Sequence, residues 1–122
     1  MPVRIVRLGS PRTKDEGLRL GTVRRPPRGV PKTEFAKRDY YDVWLPELSP
    51  SAKLIKSAHV DWEKFATRYR QEMRGQEHLL VLLAQLSRES HFAVGCYCED
   101  ESRCHRSILR EILVEHGARV AV

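Results

Sequence analysis

The sequence predicts an α/β domain with a mostly parallel central sheet and helices on both faces. The chain has 122 residues, the length of one domain, and can bury a single hydrophobic core. Short segments with period-two alternation lie near its start, and segments with helical periodicity follow them. The last third reads as strand, helix, strand, an order that makes a parallel βαβ unit. We therefore expect one domain over residues 1–122.

The first third predicts two strands and a stiff loop. Residues 3–8 alternate β-branched side chains with two arginines, and residues 18–24 show a second period-two alternation. The polar residues 10–17 between them are typical of a loop. Residues 26–31 contain three prolines and a glycine, which exclude regular structure because proline has no N–H and a fixed φ.

The middle of the chain predicts three helices. Residues 49–58 begin with Ser-Pro, a favourable helix start, and Asp61 can cap the next helix. This second helix carries a single apolar stripe and ends near Gly75. Leucines between residues 79 and 86 predict a third, more buried helix. The stripe of the second helix consists of Trp62, Phe65, Tyr69 and Met73.

The end of the chain predicts a buried strand, a helix and a last strand. Residues 92–98 are continuously apolar or small, as in a strand covered on both faces. Residues 103–116 repeat apolar side chains every three or four positions until Gly117, and residues 118–122 follow as a strand. The predicted core includes Ile5, Val6, Phe65, Leu83, Val94, Ile108 and Ile112.

Charge and cysteine usage indicate an anionic partner and a reducing compartment. Residues 1–38 contain eleven Lys or Arg and three Asp or Glu, a net +8, whereas the whole chain is +6. The longest apolar run, residues 79–84, is too short to span a bilayer, and two arginines interrupt the first eight residues, unlike a signal peptide. We expect a cytoplasmic protein without a membrane partner and without native disulfides.

The stretch CYCEDESRCHRS, residues 96–107, is the main candidate site. It leaves the carboxyl end of the predicted buried strand and enters a helix N-terminus, where ligands bind in open α/β sheets. Free N–H groups and basic side chains there favour an anion. The positive potential of the helix N-terminus and the basic side chains would also lower the pKa of Cys104, which makes Cys104 and His105 the candidate catalytic residues. The three acidic residues at 99–101 would oppose both a thiolate and a bound anion.

Two other interpretations of the stretch stay open. Cys96 and Cys98 share one face of a strand and could meet Cys104 and His105 at a zinc ion, but Cys-x-Cys is tighter than the usual zinc spacing. The cysteines could equally be small residues that pack a tight corner. We expect no bound metal or cofactor, and the alternative is a zinc site or a thiol-redox role of the three cysteines.

A composite ligand site follows from the second basic segment. Residues 23–30, VRRPPRGV, also follow a predicted strand, so they open onto the same sheet edge. The predicted ligand-binding residues are Arg24, Arg25, Arg28, Arg106 and Ser107. The partner would be an anionic small molecule, phosphorylated or of nucleotide type. Nucleic acid bound by the basic N-terminal half is the alternative, and no recognition motif supports it. A purely structural explanation also stays open, in which these arginines are solvated or form ion pairs with acidic side chains and bind no ligand.

Three motifs together resemble a known family. They are the Arg-Pro-Pro-Arg-Gly of residues 25–29, the Trp-to-Ser segment of residues 44–51 and the Cys-His-Arg-Ser that ends the cysteine stretch. The chain is similar through them to the family of domains of unknown function numbered 488, the YeaO-like proteins, from Arg4 to about Val114. The resemblance implies a compact α/β domain and implies no activity.

Overall fold

The fold is built on a four-stranded sheet in which all strands are parallel. The computed structural model describes residues 2–57, 61–98 and 104–121. The sheet order is β1-β4-β2-β3, and all five residues of the central strand β4 are buried. This confirms the predicted α/β class with its parallel sheet. The strands are β1 (Val3–Arg7), β2 (Leu18–Gly21), β3 (Val43–Trp44) and β4 (Phe92–Cys96).

Four α-helices and three short 3-10 turns complete the described part of the chain. They are α1 (Ala52–Ser57), α2 (Trp62–Met73), α3 (Glu77–Leu86), α4 (His105–Glu115) and the turns Lys32–Glu34, Pro46–Leu48 and Arg74–Gln76. As predicted, Asp61 caps α2, because its side chain accepts a hydrogen bond from the backbone N–H of Lys64 at 3.2 Å. None of the helices in these residues has the length and apolar character needed to cross a bilayer.

The main core lies between one face of the sheet and helices α2, α3 and α4. Val3, Phe92 and Val94 from the sheet join the buried stripe of α2 and the apolar positions of α3 and α4. Five predicted core residues are buried there: Phe65, Leu83, Val94, Ile108 and Ile112. The other two, Ile5 and Val6, are only partly buried, because β1 lies at the edge of the sheet.

The opposite face of the sheet is covered mainly by irregular segments. Arg19 of β2 projects from this face and is fully buried, with its guanidinium bound to Glu16 and to backbone carbonyls of residues 10, 11 and 39. Tyr41 packs over Gly21, where an added Cβ would lie 2.4 Å from the tyrosine ring. The buried guanidinium of Arg19 therefore holds together the irregular segments on this face, which the sequence pattern did not predict as ordered structure.

The structure differs from the sequence prediction mainly at element ends. β2 stops at Gly21 rather than at residue 24, and the predicted last strand reduces to a bridge between Val120 and Val3. The two-residue strand β3 has no period-two signal and was not predicted. The predicted end of α1 at Ala58 and the predicted start of α4 at Arg103 lie outside the described residues.

Candidate functional site at the carboxyl edge of the sheet

The candidate site forms where three parallel strands end beside the N-terminus of α4. β1, β2 and β4 all run in the same direction, so the residues after them meet at one edge. A second, smaller core holds this edge together. It consists of Leu8, Val23, Tyr41, Cys96 and Cys104, with partly buried aromatic side chains packed around it. The strand ends and the helix start are thus fixed relative to each other.

Cys96, Cys98 and Cys104, here called the thiol cluster, meet at this corner. The Sγ atoms of Cys96 and Cys104 are 2.7 Å apart, and both residues are 2% exposed. Cys98 is exposed, and its backbone N–H donates to Cys96 Sγ at 3.4 Å. All three are free cysteines. Cys96 ends the buried strand and Cys98 follows it, as the sequence predicted.

The three thiols of the cluster differ in pKa, which is lowered for Cys98 and raised for Cys96 and Cys104. Hydrogen bonds from Cys104 and from Cys96 lower the pKa of Cys98 to about 2, with further help from the charges of His105 and Arg106. The hydrogen bond with Cys104 is the main cause that raises the pKa of Cys96. The contact with Cys96 lowers the pKa of Cys104, but its hydrogen bond with Cys98 and burial together raise it. Cys104 therefore stays a candidate for the reactive thiol, and the exposed Cys98, whose pKa is lowered, is a second one.

His105 is buried beside the cluster in one defined tautomer. Its Nε2 lies 2.8 Å from the carbonyl oxygen of Thr22 and 3.1 Å from the hydroxyl of the same residue. A carbonyl only accepts, so Nε2 carries the proton and Nδ1 keeps its lone pair, which lies 3.7 Å from Cys104 Sγ. Burial lowers the pKa of His105 to about 4, so the ring is neutral at pH 7.

Two of the predicted ligand residues on α4 are engaged within the protein. Arg106 is 3% exposed, and its Nη2 donates to the carbonyl of Cys98 at 2.6 Å, while its buried Nε has no partner among the residues that the structure describes. The hydroxyl of Ser107 donates to the carbonyl of Cys104 at 2.9 Å. Both side chains therefore form hydrogen bonds with backbone carbonyls at the strand–helix corner.

The arginines of the proline-rich loop divide into two groups. Arg24 donates to the carbonyls of Ser49 and Pro50 at 3.2–3.3 Å, so it ties the loop to the segment before α1. Arg25 and Arg28 instead line an open groove of about 610 Å³. Of the predicted ligand-binding residues, Arg25 and Arg28 line this groove, whereas Arg24, Arg106 and Ser107 do not.

This Arg–Tyr groove is lined by Arg25, Pro26, Pro27, Arg28, Tyr40 and Tyr97. The Tyr97 hydroxyl donates to the carbonyl of Arg25 at 2.9 Å, which joins the proline-rich loop to the cysteine stretch. The rings of Tyr40 and Tyr97 meet edge to face, with centroids 6.2 Å apart. Two arginines and two tyrosines thus face one concave surface at the carboxyl edge of the sheet.

The sequence pattern did not indicate that Tyr40 and Tyr97 would line the groove. Tyr97 lies inside the cysteine stretch, and its position directly after a buried strand was the signal that could have indicated it. Tyr40 follows Asp39, which has a positive φ of 61° and whose carbonyl accepts hydrogen bonds from Gly9 and Arg19. That arrangement depends on long-range contacts, so no local pattern marks Tyr40.

The fold and the site define a small parallel α/β domain with a cysteine cluster and a basic aromatic groove at the carboxyl edge of its sheet. The chain belongs to the family described as the active DUF488-N3 subclade, whose model matches residues 3–117. It is similar to the uncharacterized protein YeaO of Escherichia coli (strain K12), with 27% identity over 116 residues that cover 93% of this chain and 97% of YeaO. No solved structure matches the chain. The family resemblance inferred from the motifs is confirmed.

Proposed function

We propose that the protein binds an anionic ligand, phosphorylated or of nucleotide type, in the Arg–Tyr groove. The observation that carries this proposal is the presence of Arg25 and Arg28 on the same concave surface as two tyrosine rings. Both arginines are exposed, and neither forms an ion pair within the described residues. Their charges are therefore available to a ligand.

The chemistry of the groove fits a ligand with both a phosphate and an aromatic ring. Guanidinium groups bind phosphate oxygens through two parallel hydrogen bonds, whereas tyrosine rings provide faces and edges for a base. Pro26 and Pro27 restrict the loop that carries the arginines, so less conformational entropy is lost when a ligand binds. The basic N-terminal third of the chain adds long-range attraction for anions.

The position of the groove supports a small-molecule ligand. Ligands of open α/β domains bind outside the carboxyl ends of the strands, and Tyr97 directly follows β4 at that edge. A groove of about 610 Å³ is within the size range of small-molecule sites. The proposed compartment is the cytoplasm, which the three free cysteines support.

Titration calorimetry with inorganic phosphate, adenosine monophosphate and a short single-stranded oligonucleotide tests the proposal. We expect the Arg25→Ala/Arg28→Ala variant to bind the nucleotide about 30-fold more weakly, since each lost contact at an exposed site is worth about 1 kcal/mol. Lys32→Ala/Lys37→Ala is the matched control, because it removes two exposed positive charges from the same basic segment outside the groove. We expect it to bind within about threefold of the parent protein.

Two results would contradict this function. One is that the parent protein binds none of the three probes at millimolar concentration. The other is that the arginine and lysine double variants lose affinity equally, which would indicate a general charge effect. A steep salt dependence with the oligonucleotide and a shallow one with the mononucleotide would favour the nucleic-acid alternative, because each phosphate contact adds to the slope.

A further inference from the structure

We propose that the thiol cluster and His105 form a structural zinc site, with Cys96, Cys98 and Cys104 as sulfur ligands and His105 Nδ1 as the nitrogen ligand. This inference goes beyond the groove and does not depend on its ligand. The sequence left zinc binding open as an alternative, and zinc binding best accounts for the side chains where β4 meets α4. Three cysteines and one histidine are a common ligand set of structural zinc.

The ligand atoms already lie close together. One ligand atom from each of Cys96, Cys104 and His105 falls within 4.8 Å of the others. Tetrahedral zinc, with bonds of about 2.3 Å to sulfur and 2.0–2.1 Å to nitrogen, separates a sulfur and a nitrogen ligand by about 3.6 Å. The distance from Cys104 Sγ to His105 Nδ1 is 3.7 Å, so this edge of the tetrahedron is nearly formed.

The sulfur atoms require only a small adjustment. Two sulfur ligands of zinc lie about 3.8 Å apart, so Cys96 Sγ and Cys104 Sγ, now 2.7 Å apart, would separate by about 1 Å. Cys98 is the residue placed to supply the fourth ligand, since it follows Cys96 by two residues and its backbone N–H lies 3.4 Å from Cys96 Sγ. Its exposed position allows its side chain to turn onto the ion.

The surroundings of His105 match those of a metal ligand. Histidines that bind metals usually donate their second ring N–H to a carboxylate or a carbonyl, which fixes the tautomer and the direction of the free lone pair. Here Nε2–H is held by the carbonyl of Thr22 at 2.8 Å, and Nδ1 lies 3.7 Å from Cys104 Sγ. The ring is therefore oriented for coordination before any ion binds.

The buried cation Arg106 lies beside the thiol cluster, since its Nη2 donates to the carbonyl of Cys98. It is 3% exposed and forms no ion pair with a carboxylate among the described residues. A buried cation is costly, so a negative group beside it is stabilising. Three thiolates on one Zn²⁺ carry a net charge of −1, which would neutralise Arg106. All four ligands come from the protein, so the site would be closed and structural, and it would fasten β4 to α4.

Metal analysis of the purified protein, reloaded with zinc in the presence of a reductant and then desalted, tests the inference. We expect about one zinc ion per chain, and one cobalt ion per chain after cobalt loading, with the thiolate charge-transfer and visible bands of a tetrahedral site. Cys98→Ser should weaken zinc binding at least 100-fold, since even outer-shell changes cost about 10–100-fold. The fold should survive this change, because Cys98 is exposed. Circular dichroism checks that point.

His105→Gln is the second variant, and His91→Gln is its matched control, because His91 is exposed and outside the site. His105→Gln should lower zinc affinity by a factor similar to that of Cys98→Ser, and His91→Gln should leave zinc affinity unchanged. Less than about 0.1 zinc per chain in the reloaded parent protein would overturn the inference. So would unchanged zinc affinity in both Cys98→Ser and His105→Gln, or a disulfide between Cys96 and Cys104 that forms in air despite equimolar zinc.

Discussion

Replacing Arg19 with methionine removes the side chain that organises the second face of the sheet. Arg19 is fully buried, and all five of its guanidinium N–H groups have acceptors. Nε and Nη2 donate to the carboxylate of Glu16, while Nη1 donates to the carbonyls of Ser10 and Asp39. Nη2 also donates to the carbonyl of Pro11 at 3.3 Å. Methionine has a similar length but can replace none of these bonds.

The expected loss of stability is large because the partner carboxylate stays behind. Glu16 is 2% exposed, so Arg19→Met leaves a buried charge without its counter-ion, a change that costs about 3–5 kcal/mol. A domain of this size has about 5–15 kcal/mol of stability, so we expect the variant to fold. With a urea m value of about 1.5 kcal/mol/M, the unfolding midpoint should fall by about 2–3 M. The double variant Glu16→Gln/Arg19→Met should be less destabilised than the single one, because the stranded charge is gone.

Urea unfolding followed by circular dichroism measures this effect. The control is Arg38→Met, whose exposed arginine pairs with Glu34 on the surface and should change stability by about 0.5 kcal/mol or less. Arg19 also holds the carbonyl of Asp39, the residue before Tyr40, so Arg19→Met should weaken ligand binding in the groove although Arg19 does not line it. An Arg19→Met variant within about 1 kcal/mol of the parent protein would refute the reasoning.

Two further predictions concern the central strand and the loop layer. Gly95→Ala should lower the free energy of unfolding by about 2–3 kcal/mol in a thermal or urea experiment, since its Cβ would lie 2.6 Å from the backbone oxygen of Val6. The control Gly75→Ala should be neutral or slightly stabilising, because no atom lies within 4 Å of its added Cβ. An equal loss of stability in both variants would contradict the packing argument. Burial raises the pKa of Asp42, but hydrogen bonds from the Arg12 side chain and a backbone N–H, together with arginine charges, bring it below its usual range. The ionised Asp42 therefore stabilises the fold above its unfolded-state pKa of about 4, and this stabilisation disappears as pH falls through the lower folded-state pKa. Asp42→Asn should thus lower the free energy of unfolding by about 1 kcal/mol at pH 7 and leave it unchanged at low pH. A loss of stability that is the same at both pH values would contradict this.

Local patterns in the sequence predicted the elements that have strong periodicity. The stripe of α2 and the cap at Asp61 specify a helix by side-chain spacing and by one hydrogen bond, so both were predicted. The continuous apolar run of β4 predicted a strand at the centre of the sheet. Strand β3 could not be predicted, because two residues carry no period and are held by pairing with β2.

The candidate site was predictable in place but not in its details. The order of strand, cysteine stretch and helix correctly indicated the carboxyl edge. The direction of each side chain depends on contacts from distant parts of the chain, as with Arg24, which turns to the carbonyls of Ser49 and Pro50. The lowered pKa of Cys98 also depends on such contacts, because only the folded corner brings the other two thiols near it.

The four tyrosines provide the most direct test of the central claim that the Arg–Tyr groove binds an anionic ligand. Tyr40 and Tyr97 line the groove, whereas Tyr41 and Tyr69 are buried and act as internal controls. The measurement is a carbon–proton NMR spectrum of the tyrosine-labelled protein during titration with adenosine monophosphate. We predict saturable shifts of the Tyr40 and Tyr97 ring signals, with much smaller shifts of the buried pair. The absence of any shift of Tyr40 and Tyr97 at millimolar nucleotide, or equal shifts of all four tyrosines, would contradict the account.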